Sequence, residues 1–312
     1  MSRLFNCAIL GCQFLVGITS VVLTAGTSQA GFTTFASFGQ DPAAITPTRD
    51  AFRTAIGGGT VAGANGSFGG LRREINWDAV PDALADPHLL PADFFNTTSP
   101  RGLVYSTPGT GFLVSANAGQ STPPLFGFPN DLQTFSPQRL FTAVNSNITD
   151  VTFFVPGTSI AATTNAFGVI FVDAEIEGET NIQFFDSSNN LIYSHDALIS
   201  FNQNLSFLGA IADAGEEISR VRITSGANTL ASNGVLGNPT SDFVVMDDFL
   251  FAEPRALVPE PSAMVLWSIA LGLFGIGRAR KRIRKASTGR KGPLVRAMQG
   301  AVCGAWSRSA IG

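Results

Sequence analysis

From Gly102 to Phe251 the chain runs as short apolar segments punctuated by turn residues. The segments cover residues 103–106, 112–116, 140–144, 148–155, 167–173, 181–185, 191–194, 205–211, 218–224 and 243–251. Each is short for a helix and rich in Val, Ile or Phe, which predicts strands. Arg220-Val-Arg-Ile-Thr224 alternates strictly, so both arginines fall on one face of its strand. Residues 181–185 and 191–194, joined through Ser187-Ser-Asn-Asn190, predict a hairpin.

The first third is less regular. Thr46-Pro47 as a start and Gly57-Gly-Gly59 as a stop predict one short helix over 47–56, with Phe52, Ala55 and Ile56 toward the core. Residues 60–70 read as a loop, 71–77 as a strand, and 78–96 as an irregular excursion packed by its aromatics. Many strands with a single helix give a mainly β fold, an antiparallel β-sandwich. The chain has 26 Phe against two Tyr, which suits a Phe-filled core between two sheets.

Two further apolar stretches bracket this region. Arg3, the apolar run 14–23 and the small residues Ser28 and Ala30 predict a secretory signal peptide over 1–30, with a signal helix cut before Gly31. Two competing readings are a lipobox at Ile9-Leu10-Gly11-Cys12 and an uncleaved N-terminal anchor. Near the other end, residues 262–277 carry no charge. Sixteen helical residues reach roughly 24 Å, short of a ~30 Å hydrocarbon core. Arg278, Arg280, Lys281, Arg282, Arg284 and Lys285 follow at once; they extend the span by snorkelling and orient that end to the cytoplasm. Pro259 and Pro261 set where this transmembrane helix begins. The competing reading, a buried core helix, does not suit a polybasic neighbour.

Charge divides along the same boundaries. Residues 31–258 hold 22 Asp and Glu against nine Arg and no Lys, whereas residues 259–312 hold ten basic residues and one Glu. An acidic ectodomain with a basic cytoplasmic end fits a membrane-tethered export product, and excludes nucleic acid as a partner of the ectodomain. Cys7, Cys12 and Cys303 all lie outside residues 31–257. Disulfides, thiol nucleophiles and Cys-based zinc are thereby excluded from that domain, and its length suffices for a full core without staples.

Pro259-Glu260-Pro261, the apolar segment and the basic cluster together resemble the PEP-CTERM sorting signal of exported bacterial proteins. With that resemblance the chain divides into four expected parts: a signal peptide (1–30), a secreted β-sandwich (31–257), the sorting signal (258–285) and a disordered basic tail (286–312). That tail runs past the point where such signals usually end. The implied partners are signal peptidase and the secretion machinery, then an exosortase that cuts at or near the motif. An inner-membrane-tethered precursor would give a product at the cell surface or in the extracellular matrix. The strand order is loosely similar to the jelly-roll or lectin-like sandwiches of such cargo, which implies carbohydrate binding and in some cases calcium.

Asp247-Asp248 is the main polar anomaly, because two carboxylates interrupt an apolar strand. Alternation would send one inward, where it must be paired, hydrogen-bonded, protonated or bound to a cation. Asp173 and Glu175, at the end of another strand, would complete a calcium site with them if the strands are neighbours. The competing reading holds these aspartates by an arginine or by loop amides. Glu175, Glu177 and Glu179 offer paired carboxylates for glycoside hydrolysis or, more simply, a solvated acidic turn. Trp77 reads either as a sugar platform or as a core residue, His88 and His195 read as loop residues, and the glycine clusters as turns. The function expected is a non-catalytic structural or carbohydrate-binding role in exopolysaccharide. The alternatives are a secreted glycan hydrolase and a permanently anchored adhesin.

Overall fold

Two antiparallel sheets pack face to face in the computed structural model, which describes residues 31–257 except 232, 239 and 240. The signal peptide, the sorting motif with Pro259, Glu260 and Pro261, the C-terminal helix, its basic cluster and the tail lie outside the described residues. The first sheet has the spatial order β1 (Phe32–Gly39), β12 (Leu205–Ala212), β9 (Ala166–Val172), β14 (Val245–Ala252), β3 (Arg72–Ile75) and β2 (Ser67–Phe68). β5 (Gly111–Val114) and β6 (Phe141–Val144) join it where Phe141 pairs with Met246. The second sheet runs β11 (Leu191–Asp196), β10 (Asn181–Phe185), β13 (Arg220–Thr224), β7 (Ile148–Phe153) and β4 (Leu103–Ser106). A small pair, β8 (Ala162–Thr163) with β15 (Arg255–Ala256), closes the domain.

The main core lies between the sheets. Phe167, Phe171, Phe249 and Phe251 of the first meet Tyr105, Phe153, Phe184 and Tyr193 of the second. A second apolar layer covers the outer face of the first sheet, where Ile45 and Phe52 from helix α1 (Pro42–Ile56) join Phe126, Leu132 and Phe135 over Ile170, Phe207 and Leu250. Covered on both faces, β9 reads as an unbroken apolar run, and β14 as one broken only by Asp247 and Asp248. The second sheet has one wet face, so β7, β10 and β13 alternate. Arg220 and Arg222 share that face, as their spacing predicted, and both bind Asp150 with hydrogen bonds of 2.8 and 2.9 Å.

Gly168 and Gly209 face each other across β9 and β12, and together they form the trough that seats Phe52. A Cβ on either glycine would stand 3.1 or 3.0 Å from the Phe52 ring.

The expected helix over 47–56 is longer than the sequence suggested, running from Pro42. Asp41 caps it by accepting from the Ala44 amide at 3.0 Å, Pro42 occupies the first turn, and Pro47 is carried inside the helix. Within it Phe52 is buried, but Ala55 is exposed and Ile45 takes the second core position. A second helix of one turn, α2 (Phe94–Thr97), lies in the irregular excursion. The expected loop over 60–70 contains β2, and β1 forms an edge strand that was not expected. No helix among the described residues is long and apolar enough to cross a membrane.

Candidate functional site

β9 ends where β14 begins, because the two strands are antiparallel and Val172 pairs with Val245. β12 also starts at that edge, with Leu205 opposite Val172. The connections at this end therefore converge, and they bring acidic residues with them. Asp173 leaves β9 with φ of 70°, a left-handed conformation that turns the chain sharply. Its Oδ1 accepts the Gln203 amide at 2.8 Å, and its own amide donates to the Asn204 carbonyl at 2.9 Å. Asp242 stands just before β14, and its Oδ2 accepts the amides of Glu175 (2.9 Å) and Ile176 (3.3 Å).

Asp173, Glu175 and Asp242 each place one carboxylate oxygen within 4.8 Å of the others. They line a cleft of about 330 Å³ together with Asp131, Asn202 and Ser241. Crowding shows in the protonation. Burial pushes the Asp173 carboxyl up to about 7; the Gln203 amide opposes this, and the charges of Glu175, Asp242 and Asp131 add to it. Burial likewise takes Asp242 up to about 6, with the Glu175 and Ile176 amides opposing and Glu175 and Glu179 repelling.

Asp247 and Asp248 form a separate site. A β-bulge lies between Met246 and Phe249, so two residues of β14 stand where β9 supplies one. Strict alternation is broken there, and both carboxylates reach Ser136, whose Oγ lies 3.1 Å from Asp247 Oδ1 and 2.7 Å from Asp248 Oδ1. Asp247 Oδ2 also accepts the amides of Phe135 (2.6 Å) and Ser136 (3.3 Å). Burial first, and then the neighbouring charge of Asp248, drives the Asp247 carboxyl well above the usual range. Burial raises Asp248 as well, with Ser136 opposing. The four-residue calcium site expected from the sequence is thus divided. Asp173 and Glu175 meet Asp242, while Asp247 and Asp248 are held by loop amides and a hydroxyl inside the core.

The other candidates are placed as follows. Trp77 is buried, stacked at 4.0 Å on Phe141, and its Nε1 donates to the Asp247 carbonyl at 2.9 Å. Glu177 is exposed, Glu179 is half-buried and His88 is exposed. His195, expected in a loop, lies in β11 opposite Ile182, and its Nδ1 bonds the Asp196 carbonyl at 2.7 Å. The Gly57–Gly59 turn offers its carbonyls to the Arg72 guanidinium, with Nη2 to Gly59 at 2.8 Å. Sequence reasoning missed Asp242 and Asp131. Asp242 carried a usable signal, an acidic residue just ahead of a long apolar strand, whereas Asp131 lies in an irregular connection.

From Leu257 onward, residues 257–282 match the family model of the PEP-CTERM protein-sorting motif. The chain carries the PEP-CTERM sorting motif. The PEP-CTERM match contains Pro259, Glu260 and Pro261, the apolar segment, and Arg278, Arg280, Lys281 and Arg282 of the basic cluster. A PEP-CTERM motif marks an exported, surface-directed protein with an exosortase as its processing partner. No curated protein and no solved structure matches this PEP-CTERM chain.

Proposed function

We infer that the domain of residues 31–257 is a non-catalytic component of the cell surface or extracellular matrix, acting by binding or scaffolding exopolysaccharide. One observation carries the reading: the sorting motif begins at residue 257, where the compact unit ending at Leu257 stops, so the whole fold is cargo for the sorting step. Two features support the non-catalytic part. The raised carboxyls of Asp247 and Asp248 resemble an acid–base pair in their protonation, but both are buried, which keeps a polymer substrate from them. Trp77, the aromatic best suited by sequence to stack on a sugar, is sealed in the core. In this reading the sandwich is lectin-like in use, with the precursor tethered in the inner membrane until the exosortase acts.

The test follows the full chain in an exosortase-bearing host. The released product should have lost the mass of the C-terminal segment and should co-sediment with exopolysaccharide purified from that host, without generating new reducing ends. A Pro259→Ala, Glu260→Ala, Pro261→Ala variant should stay with the membrane fraction. A released protein of full C-terminal mass would overturn the sorting step. New reducing ends would overturn the non-catalytic reading in favour of a glycan hydrolase.

A further inference from the structure

The acidic cleft at the end of β9 and the start of β14 leaves a carboxylate oxygen without a partner. Asp242 is only 5 % exposed, and while its Oδ2 is fixed by two amides, its Oδ1 is buried with no hydrogen-bond partner. Oε2 of Glu179, beyond the cleft lining on the β9–β10 connection that carries Glu175, is likewise buried without a partner. Among the described residues lining the cleft there are four carboxylates and no cationic side chain. Buried carboxylates are normally paired, hydrogen-bonded or bound to a metal, and here the first two are lacking for Asp242 Oδ1.

We propose that this cleft binds a calcium ion through Asp173, Glu175 and Asp242, with Asp131, Asn202 and Ser241 completing the shell. Every side chain offered is an oxygen donor, which selects a hard cation over zinc or copper. Calcium takes six to eight oxygens at about 2.3–2.6 Å, so opposite ligands stand roughly 5 Å apart. The three carboxylate oxygens already lie within 4.8 Å of one another, inside such a shell. Magnesium, at about 2.0–2.1 Å, would demand a contraction to roughly 4 Å and a stricter octahedron. The ligands come from separate connections, so the ion would tie the end of β9, the start of β14 and the turn before β12 into one unit. This inference concerns the domain alone and does not depend on the sorting step or on glycan binding.

The experiment uses the full chain in detergent, stripped with chelator, and adds calcium chloride alone. Calorimetry should show one calcium per chain with half-saturation below about 1 mM, the range of extracellular calcium modules, and the melting temperature should rise on saturation. Magnesium at equal concentration should give less than a third of that rise. Asp242→Asn should weaken calcium binding at least tenfold. Because Asp242 is buried, Glu175→Gln, at an exposed position, serves as the second variant and should weaken binding at least threefold with an apo melting temperature no lower than the parent's, since it also removes a repelling charge. Absence of calcium-dependent heat and melting shift at 10 mM, an equal response to magnesium, or full affinity in Glu175→Gln would each overturn the proposal.

Discussion

Trp77→Phe separates a core indole from a ligand platform. Trp77 has φ of 65°, but phenylalanine carries the same Cβ, so the cost of that left-handed backbone is common to both proteins and cancels. The six-membered ring can keep most of the stack on Phe141, now at 4.0 Å and 2°. Two contributions are lost. The Nε1 hydrogen bond to the Asp247 carbonyl (2.9 Å) disappears, leaving a buried acceptor unsatisfied within a bulge, at about 1–3 kcal/mol. The missing pyrrole edge removes one to two carbon-sized groups from the contacts with Phe95 and Phe249, about 1–1.5 kcal/mol. Together these come to about 2–4 kcal/mol, or about 5–15 °C in melting temperature for a domain of this size. Far-UV circular dichroism on heating and in urea measures the loss, and co-sedimentation with exopolysaccharide, scored well below the melting temperature, should be unchanged. A loss below about 1 kcal/mol accompanied by lost polysaccharide binding would show that Trp77 meets ligand instead of core, and would refute the packing argument.

Two further substitutions probe the polar groups inside the fold. Asp247 and Asp248 both have raised carboxyl pKa values in the folded state, so the native protein retains protons that the unfolded chain releases above ~4, and stability falls as pH rises through the raised values. Asp247→Asn fixes the neutral form: urea midpoints at pH 5, 7 and 9 should fall less steeply than in the parent, and parallel curves would count against a protonated pair. Glu253 is held by Arg73 through Nε at 2.9 Å and Nη2 at 2.7 Å, and Arg73 is almost fully buried. Glu253→Gln should cost about 2–4 kcal/mol by stranding that guanidinium, whereas the double variant Arg73→Met, Glu253→Leu should recover most of the loss in the same melting assay.

The second sheet was the easier one to read from the sequence, and the reason is physical. Its outer face meets water, so β10 and β13 carry the period-two signal that sequence patterns reveal, and Asn181–Phe185 has the bounds expected. β9, β12 and β14 were found as apolar runs, although which face met which layer was not legible. β1 escaped notice because its phenylalanines recur every third residue, with Phe32 buried in the main core and Phe38 46 % exposed at the edge. The early start of α1 was hidden because Thr46-Pro47 imitates a helix start that Asp41-Pro42 in fact supplies. In the candidate site, Asp173 and Glu175 were legible from their place at a strand end. The partnership with Asp242 was not, because it depends on β9 and β14 being neighbours. The pairing of Asp247 with Asp248 depends on a bulge defined only by the register against β9.

The order of strands along the chain links these observations to delivery. β9 and β3 flank β14 in the middle of the first sheet, yet β14 is the last long strand before the sorting motif begins at residue 257. Until residues 245–252 are in place, β9 and β3 present unpaired edges and the two apolar layers on either side of β14 lack their shared wall. Asp242 enters with that same strand, so the acidic cleft is complete only once β14 is docked. A cation bound there would favour the docked state over every state in which β14 is still loose. With an affinity in the range of extracellular modules, the site would fill only where calcium is plentiful. The same geometry would then make the environment to which the motif directs the chain the one in which its last long strand is held most firmly.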